Sequence, residues 1–229
     1  MPENPPMKII ARIRTDFPEK FGIPRQSGMI DDLKAVIVFE PDYRNADALR
    51  GLEGFNYIWI IWEFSENLRG TWSPTVRPPR LGGETRMGVF ATRSPFRPNA
   101  LGLSSVRLDG IEIHPDLGPI LLVSGADLMD NTPIYDIKPY LPYTDSHPDA
   151  AGGFADPHVG YMLEVEFPDQ WLQIIPEERQ KALIRVLALD PRPAYQNDPE
   201  RIYGLTFAGF NISFKVDIEK LTVCKVALV

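Results

Sequence analysis

The chain has 229 residues, 44% of them hydrophobic and 24% charged, which is enough to bury a sizeable core without disulfides and too apolar for disorder. Cys224 is the single cysteine, so an intrachain disulfide is excluded, and His114, His147 and His158 do not pair with it at zinc-ligand spacing, so no metal is expected. The longest apolar stretch, around 57–62, is too short for a membrane span, and the N-terminus lacks signal-peptide character; a soluble, reducing, cytoplasmic setting is the expectation.

The 23 prolines are spread along the chain and favour short strands joined by stiff loops over long helices. Residues 1–7 read as a disordered tail. Residues 8–13 then read as a first strand, 17–28 as a turn-rich loop and 35–39 as a second strand. Residues 45–52 predict a short capped helix ended near Gly54, and 57–64 a buried aromatic strand. A proline and arginine loop follows over 70–83, then strands over 86–91, 105–109 and 120–124. This spacing predicts a mainly β fold, a barrel or sandwich, rather than a doubly wound sheet. Residues 145–160, rich in Gly, Pro and Asp, read as a linker. Beyond it a smaller α+β unit is expected over 161–229. It has a strand over 161–167, the best helix of the chain over 176–189, and antiparallel strands over 202–207, 212–216 and 222–228. The helix has proline at its start, two glutamates in the first turn and an Asp-Pro stop.

The net charge of −7 argues against a nucleic-acid partner, but the charge is unevenly placed. Between 68 and 108 stand seven arginines, Arg69, Arg77, Arg80, Arg86, Arg93, Arg97 and Arg107, against the single acid Glu84. Arginine without lysine favours bidentate recognition of phosphate or carboxylate. Glycine-rich nucleotide motifs, a G-x-S-x-G elbow and H-E-x-x-H are all absent. Four segments instead carry polar residues that a core does not need: IPRQSG at 23–28, PTVRPPRLGG at 74–83, FATRSPFRPNALGLS at 90–104 and DNTPIYDIKPY at 130–140.

These segments, and DPRPAY at 190–195, resemble those of the TsaA-like family, also called TrmO, over nearly the whole chain. The resemblance implies a tRNA methyltransferase that uses S-adenosylmethionine and acts on N6 of threonylcarbamoyl-adenosine at position 37, just 3′ of the anticodon. It also implies an N-terminal antiparallel β-barrel over 8–144 that binds cofactor, a C-terminal domain that could bind tRNA, and a homodimer with cofactor near the subunit interface. Arg25, Gln26 and Ser27 match the first cofactor loop; Arg93 and Leu103 match the arginine segment and its end. Asp130, Asn131, Thr132 and Pro133 match an Asp-Gly-Thr-Pro turn, with Asn131 in place of glycine; asparagine tolerates the left-handed backbone. Ser65 and Glu66 stand where many members carry a histidine and a polar residue, and Ala100 replaces a common proline.

Methyl transfer to N6 calls for positioning and for a proton acceptor. Asp130 and Asp136 are the candidate bases. Arg77, Arg80, Arg86, Arg97 and Lys138 are the expected RNA contacts, and Tyr135 and Tyr140 could stack a base. A non-catalytic S-adenosylmethionine-binding sensor or adaptor is the second reading, and an arginine-rich protein-interaction module a third.

Overall fold

The computed structural model describes residues 6–67, 72–78, 81, 85–158, 160–192, 196 and 198–229. The chain is mainly β, as expected. Six strands form one antiparallel sheet: β1 (Ala11–Arg14), β2 (Lys34–Phe39), β3 (Tyr57–Glu63), β6 (Leu101–His114), β7 (Gly118–Ser124) and β8 (Pro133–Pro139). Their order is β1-β2-β7-β6-β3-β8, and β1 pairs with β8 through Ala11↔Ile134 and Arg12↔Pro133, so the pairings return to their start. Alternate residues point inward, because successive side chains of a strand face opposite ways. Ile58, Ile60 and Trp62 of β3 meet Ile13, Ile37, Val106, Leu121 and Ile134 in one core.

Several expected elements differ in extent. Strand β3 is buried on one face only. Residues 45–52 form no α-helix. They make a 3-10 turn over Ala46–Leu49 capped by Asn45, and a second over Leu52–Gly54 follows Gly51, whose φ of 88° breaks continuity. Of 86–91 only β5 (Met87–Gly88) is extended, paired with β4 (Thr75–Val76), and a 3-10 turn over Val89–Ala91 follows. Val89 is buried there and Phe90 is exposed, and Val89 O accepts from the Thr92 amide at 3.1 Å, which closes a turn instead of continuing the ladder. Strand β6 is far longer than expected, because its first half pairs with β3 and its second half with β7, with a shift in register at Asp109. The expected linker begins in a short helix, α1 (Pro142–Asp145), and contains a 3-10 turn over Gly153–His158. Asp145 accepts from Trp59 Nε1 at 2.8 Å and from the Leu141 amide at 2.9 Å, which ties that end to β3.

The C-terminal unit is a four-stranded sheet in the order β10 (Tyr203–Phe207), β11 (Phe210–Asp217), β12 (Lys220–Leu228) and β9 (Glu164–Glu166). The expected strands pair antiparallel, but β9 joins β12 in parallel. A short helix, α2 (Asp169–Leu172), precedes α3 (Glu177–Ala188), which buries Ala182, Leu183, Val186 and Leu187. This second core also takes in Phe17, Ile30 and Leu33 from the loop between β1 and β2. Phe17 meets Phe207 edge to face at 5.3 Å, and a Cβ on Gly22 would lie 2.1 Å from Leu205. The 15–33 loop thus belongs by sequence to the first unit and by packing to the second. Among the described residues no helix is long and apolar enough to cross a membrane, and no group of three or more His, Cys, Asp or Glu is placed to hold a metal.

Candidate functional site

A polar hollow lies where the 20–26 loop, the end of β3, the 92–97 loop, the start of β6 and the 127–132 turn converge. It is a cavity of about 490 Å³. Trp59, Trp62, Phe64, Leu101 and Leu128 give it apolar walls; Lys20, Arg25, Glu63, Glu66, Arg93, Arg97 and Asp127 give it charge. Two glycines bring the loops together. Gly28 (φ 75°) donates its amide to Gly125 O at 2.9 Å, and Gly125 (φ 80°) donates to Leu33 O at 2.9 Å. A Cβ on Gly125 would only touch the Gly28 backbone, at 3.4 Å; it is the left-handed φ of 80° that favours glycine there. This clip sets Gln26 and Ser27 against the 125–132 turn.

The 92–97 loop is laced by its own side chains. Thr92 Oγ1 donates to Val89 O at 2.9 Å, and Arg97 Nη1 donates to Thr92 O at 2.9 Å and Ser94 O at 3.3 Å. Arg93 crosses the cavity and donates to Gln26 Oε1, joining two motifs 67 residues apart.

At the other end a hydrogen-bond chain fixes Asp127. Trp62 Nε1 donates to Ser104 Oγ at 3.0 Å, and Ser104 Oγ donates to Asp127 Oδ1 at 2.6 Å. The Ser27 amide also donates to that carboxylate. Trp62 can lie there because Gly102 stands opposite it in the ladder; a Cβ on Gly102 would be 2.2 Å from the indole. Burial pushes the Asp127 carboxyl above the ordinary carboxylate range, against the lowering pull of Ser104 and Arg93.

The sequence-predicted residues divide. Arg25, Gln26, Ser65, Glu66, Arg93, Arg97, Leu103 and Thr132 line the cavity. Ser27 reaches it through its amide on Asp127. Asp130, Asn131, Pro133 and Asp136 do not line it. Asp130 points the other way: Oδ1 accepts from the Thr15 amide at 3.0 Å and Oδ2 lies 3.6 Å from Arg14. Asn131 is left-handed at φ 65°, as its substitution for glycine requires, and Pro133 is buried against Arg12 at the start of β8. Asp136 accepts from the Ile137 amide and forms an ion pair with Lys138 at 2.8 Å. Lys138 lines a second hollow of about 360 Å³ with Asp145 and His147, sharing Trp59 and Leu103 with the first. Arg77 is exposed, and Arg86, also exposed, donates to Thr75 Oγ1 at 2.9 Å; Arg80 and the end of DPRPAY lie outside the described residues. Tyr140 packs on Trp59 with centroids at 5.5 Å, and the Tyr135 hydroxyl, pushed up by burial and then by Glu63, bonds that carboxylate. Sequence reasoning missed Asp127, Trp62, Ser104 and Lys20.

Two family models match: the N-terminal domain of tRNA-methyltransferase O over residues 12–146, and the C-terminal domain of the same family over 161–229. A tRNA (adenine(37)-N6)-methyltransferase of Escherichia coli K12 is 43% identical over 217 residues, covering 90% of this chain and 91% of that protein. One from Eikenella corrodens is 46% identical over 165 residues, covering 71% of this chain and 92% of that protein. The crystal structure of TrmO from Pseudomonas aeruginosa superposes with a TM-score of 0.79 at 32% identity, covering 98% of this chain and 100% of that one. By both domains and by near full-length similarity, the chain belongs to the tRNA-methyltransferase O family.

Proposed function

We propose that the chain transfers a methyl group from S-adenosylmethionine to N6 of adenosine 37 in tRNA, with the threonylcarbamoyl-modified base as the preferred substrate. The observation that carries this reading is the meeting of Gln26 and Arg93, from two separate motifs, in a cavity of cofactor size. The donor set fits that cofactor. Arg25 and Arg93 suit its carboxylate, Glu63 and Glu66 suit its cationic and hydroxyl groups, and the Trp59, Trp62 and Phe64 walls suit its adenine ring. When bound, it supplies a methyl group on a positively charged sulfur. The chain's own residues then have to orient the base and exclude water. Asn131 and Pro133 act by shaping the turn that carries Thr132 into the site, and Asp130 ties the far side of that turn to Thr15.

The threonyl carboxylate offers a handle for a fixed arginine. Arg97 suits that grip better than Arg86, because it lines the cavity and its loop is braced by its own carbonyl contacts. The carbamoyl group also acidifies the N6 proton, and remote binding energy can orient the base. The strands of the first sheet serve as a TsaA-like barrel carrying this site, and the C-terminal unit as a tRNA-binding domain. The exposed stacked pair Trp72 and Phe90, at 6.2 Å, supports a homodimer contact in a cytoplasmic enzyme.

The test is the initial rate on matched tRNA with and without the threonylcarbamoyl group, with nucleoside mass spectrometry as the readout. A product one methyl heavier on the modified tRNA is expected. The unmodified transcript should be slower by about three orders of magnitude, roughly 4 kcal/mol. Equal rates would move the substrate to plain adenosine; cofactor binding without product would favour the sensor reading. Arg77→Ala should lower the salt slope of tRNA binding by about one unit.

A further inference from the structure

Methylation of N6, the reading on which this inference rests, leaves one proton to be placed. The N6 lone pair forms the new N–C bond, the old C–S bond breaks with its electron pair left on sulfur, and the N6–H proton has to go to an acceptor. The two carboxylates that sequence suggested for this, Asp130 and Asp136, are outside the cavity and already engaged by the Thr15 amide and by Lys138. Of the carboxylates that line it, Glu66 is exposed at the mouth and Glu63 is bonded by the Tyr135 hydroxyl.

Asp127 is different. Ser104 Oγ has one proton, which it gives to Asp127 Oδ1, and it receives one from Trp62 Nε1–H. An indole nitrogen can only donate, so the direction of the whole chain is fixed and Asp127 is held as an acceptor. We propose that Asp127 is the proton acceptor of this site, positioned by Ser104 and Trp62. Accepting the N6 proton turns its carboxylate into a neutral acid, while the departing sulfur loses its positive charge, so a buried anion and a cation are neutralised together. Burial raises its basicity above that of an ordinary carboxylate, which suits the task. The charged groups around it are Arg93 across the cavity and Lys20, Arg25, Glu63, Glu66 and Arg97 along its walls; Arg93 opposes the rise.

The test uses the full chain, S-adenosylmethionine and tRNA bearing threonylcarbamoyl-adenosine. Asp127→Asn, which keeps the shape and the bond from Ser104, should bind S-adenosylmethionine by calorimetry within about threefold of wild type. Its single-turnover rate at saturating cofactor should fall at least 100-fold, a loss typical of a missing base. Ser104→Ala keeps the carboxylate but removes a bond to its charged form. It should shift the acid limb of the kcat profile to higher pH, and shift the carboxyl ¹³C titration of Asp127 in the cofactor-free protein the same way. Were Asp127→Asn not to fold, the paired shifts in Ser104→Ala would still decide the matter. An undiminished Asp127→Asn rate, or an acid limb unmoved while the ¹³C titration moves, overturns the proposal. Lost cofactor affinity with a normal rate at saturation would make Asp127 a cofactor-holding group instead. If wild type makes no methylated nucleoside, the methyltransferase reading has failed and the proposal falls with it.

Discussion

Asp127 and Asp130 are three residues apart on one turn, and they face opposite halves of the molecule. Asp127 looks into the cavity, held by a serine hydroxyl and a backbone amide, with burial raising its pKa. Asp130 looks toward the second core, caps the Thr15 amide, and lines a separate hollow with Asp16, Arg179 and Ala208. The turn between them is what reverses direction: Asp130 N donates to Phe17 O at 2.7 Å, Asn131 N to Ile13 O at 2.8 Å, and Asn131 takes the left-handed conformation. A carboxylate's role here follows from which way the backbone turns and what it desolvates, not from its place in a recognisable motif. One side of the turn equips the cavity, and the other joins the two cores.

The cavity side is tested hardest at Gly102. A valine there cannot share space with the Trp62 indole, whose nearest atom would lie 2.2 Å from the new Cβ. The indole must leave Ser104 and its packing on Phe64 at 4.3 Å, and stability should fall by about 2–3 kcal/mol. Chemical denaturation measures this. A loss below 0.5 kcal/mol, on the order of an ordinary surface substitution, would mean that the indole is not fixed as described.

The joining side predicts the reverse pattern. Asp130→Ala removes the acceptor of the Thr15 amide and should cost about 1–2 kcal/mol of stability. Cofactor affinity, read by calorimetry, should stay within about twofold. Intact stability with lost affinity would exchange the roles of the two carboxylates.

Much of this arrangement was legible in the sequence, and the missing parts share a cause. Local signals worked. The Pro start and Asp-Pro stop bounded α3, the apolar, β-branched run over 35–39 marked β2, and motif residues Gln26, Arg93 and Thr132 do converge. Asp127 carried no local signal, since Gly-Ala-Asp-Leu is an ordinary strand exit. Its meaning comes from Ser104 and Trp62, 23 and 65 residues away, brought in by the β3–β6 register. The length of β6 was hidden for the same reason: its two halves are stabilised by different partners. Nor could composition show that the polar, turn-rich 17–28 loop would lend Phe17 to the second core.

The smallest expected effect concerns that shared loop and carries a sign. Asp32 accepts from Lys181 and Arg185 of α3, each at 2.9 Å, and these bonds lower its pKa below the ordinary value near 3.8. A group depressed in the folded state contributes stability that is present above its unfolded pKa and is lost as pH falls through the folded value. Asp32→Asn should therefore cost stability at pH 7 and cost progressively less below about pH 4. The ion pairs are largely solvated, with Lys181 74% and Arg185 43% exposed, so the loss should be only about 0.5–1 kcal/mol. Asp16, in the same loop, has the opposite sign. Burial raises its pKa, Arg179 at 3.0 Å only partly offsets this, and nearby Asp130 adds to it. Its contribution is greatest below the unfolded pKa and is lost as pH rises through the folded value, so it works against the loop at neutral pH. Denaturation midpoints of Asp32→Asn and Asp16→Asn between pH 3 and 7 should accordingly diverge from wild type in different directions as pH rises. Parallel curves would mean that the 15–33 loop is held to the second core by Phe17, Ile30 and Leu33 alone, with the charges as bystanders.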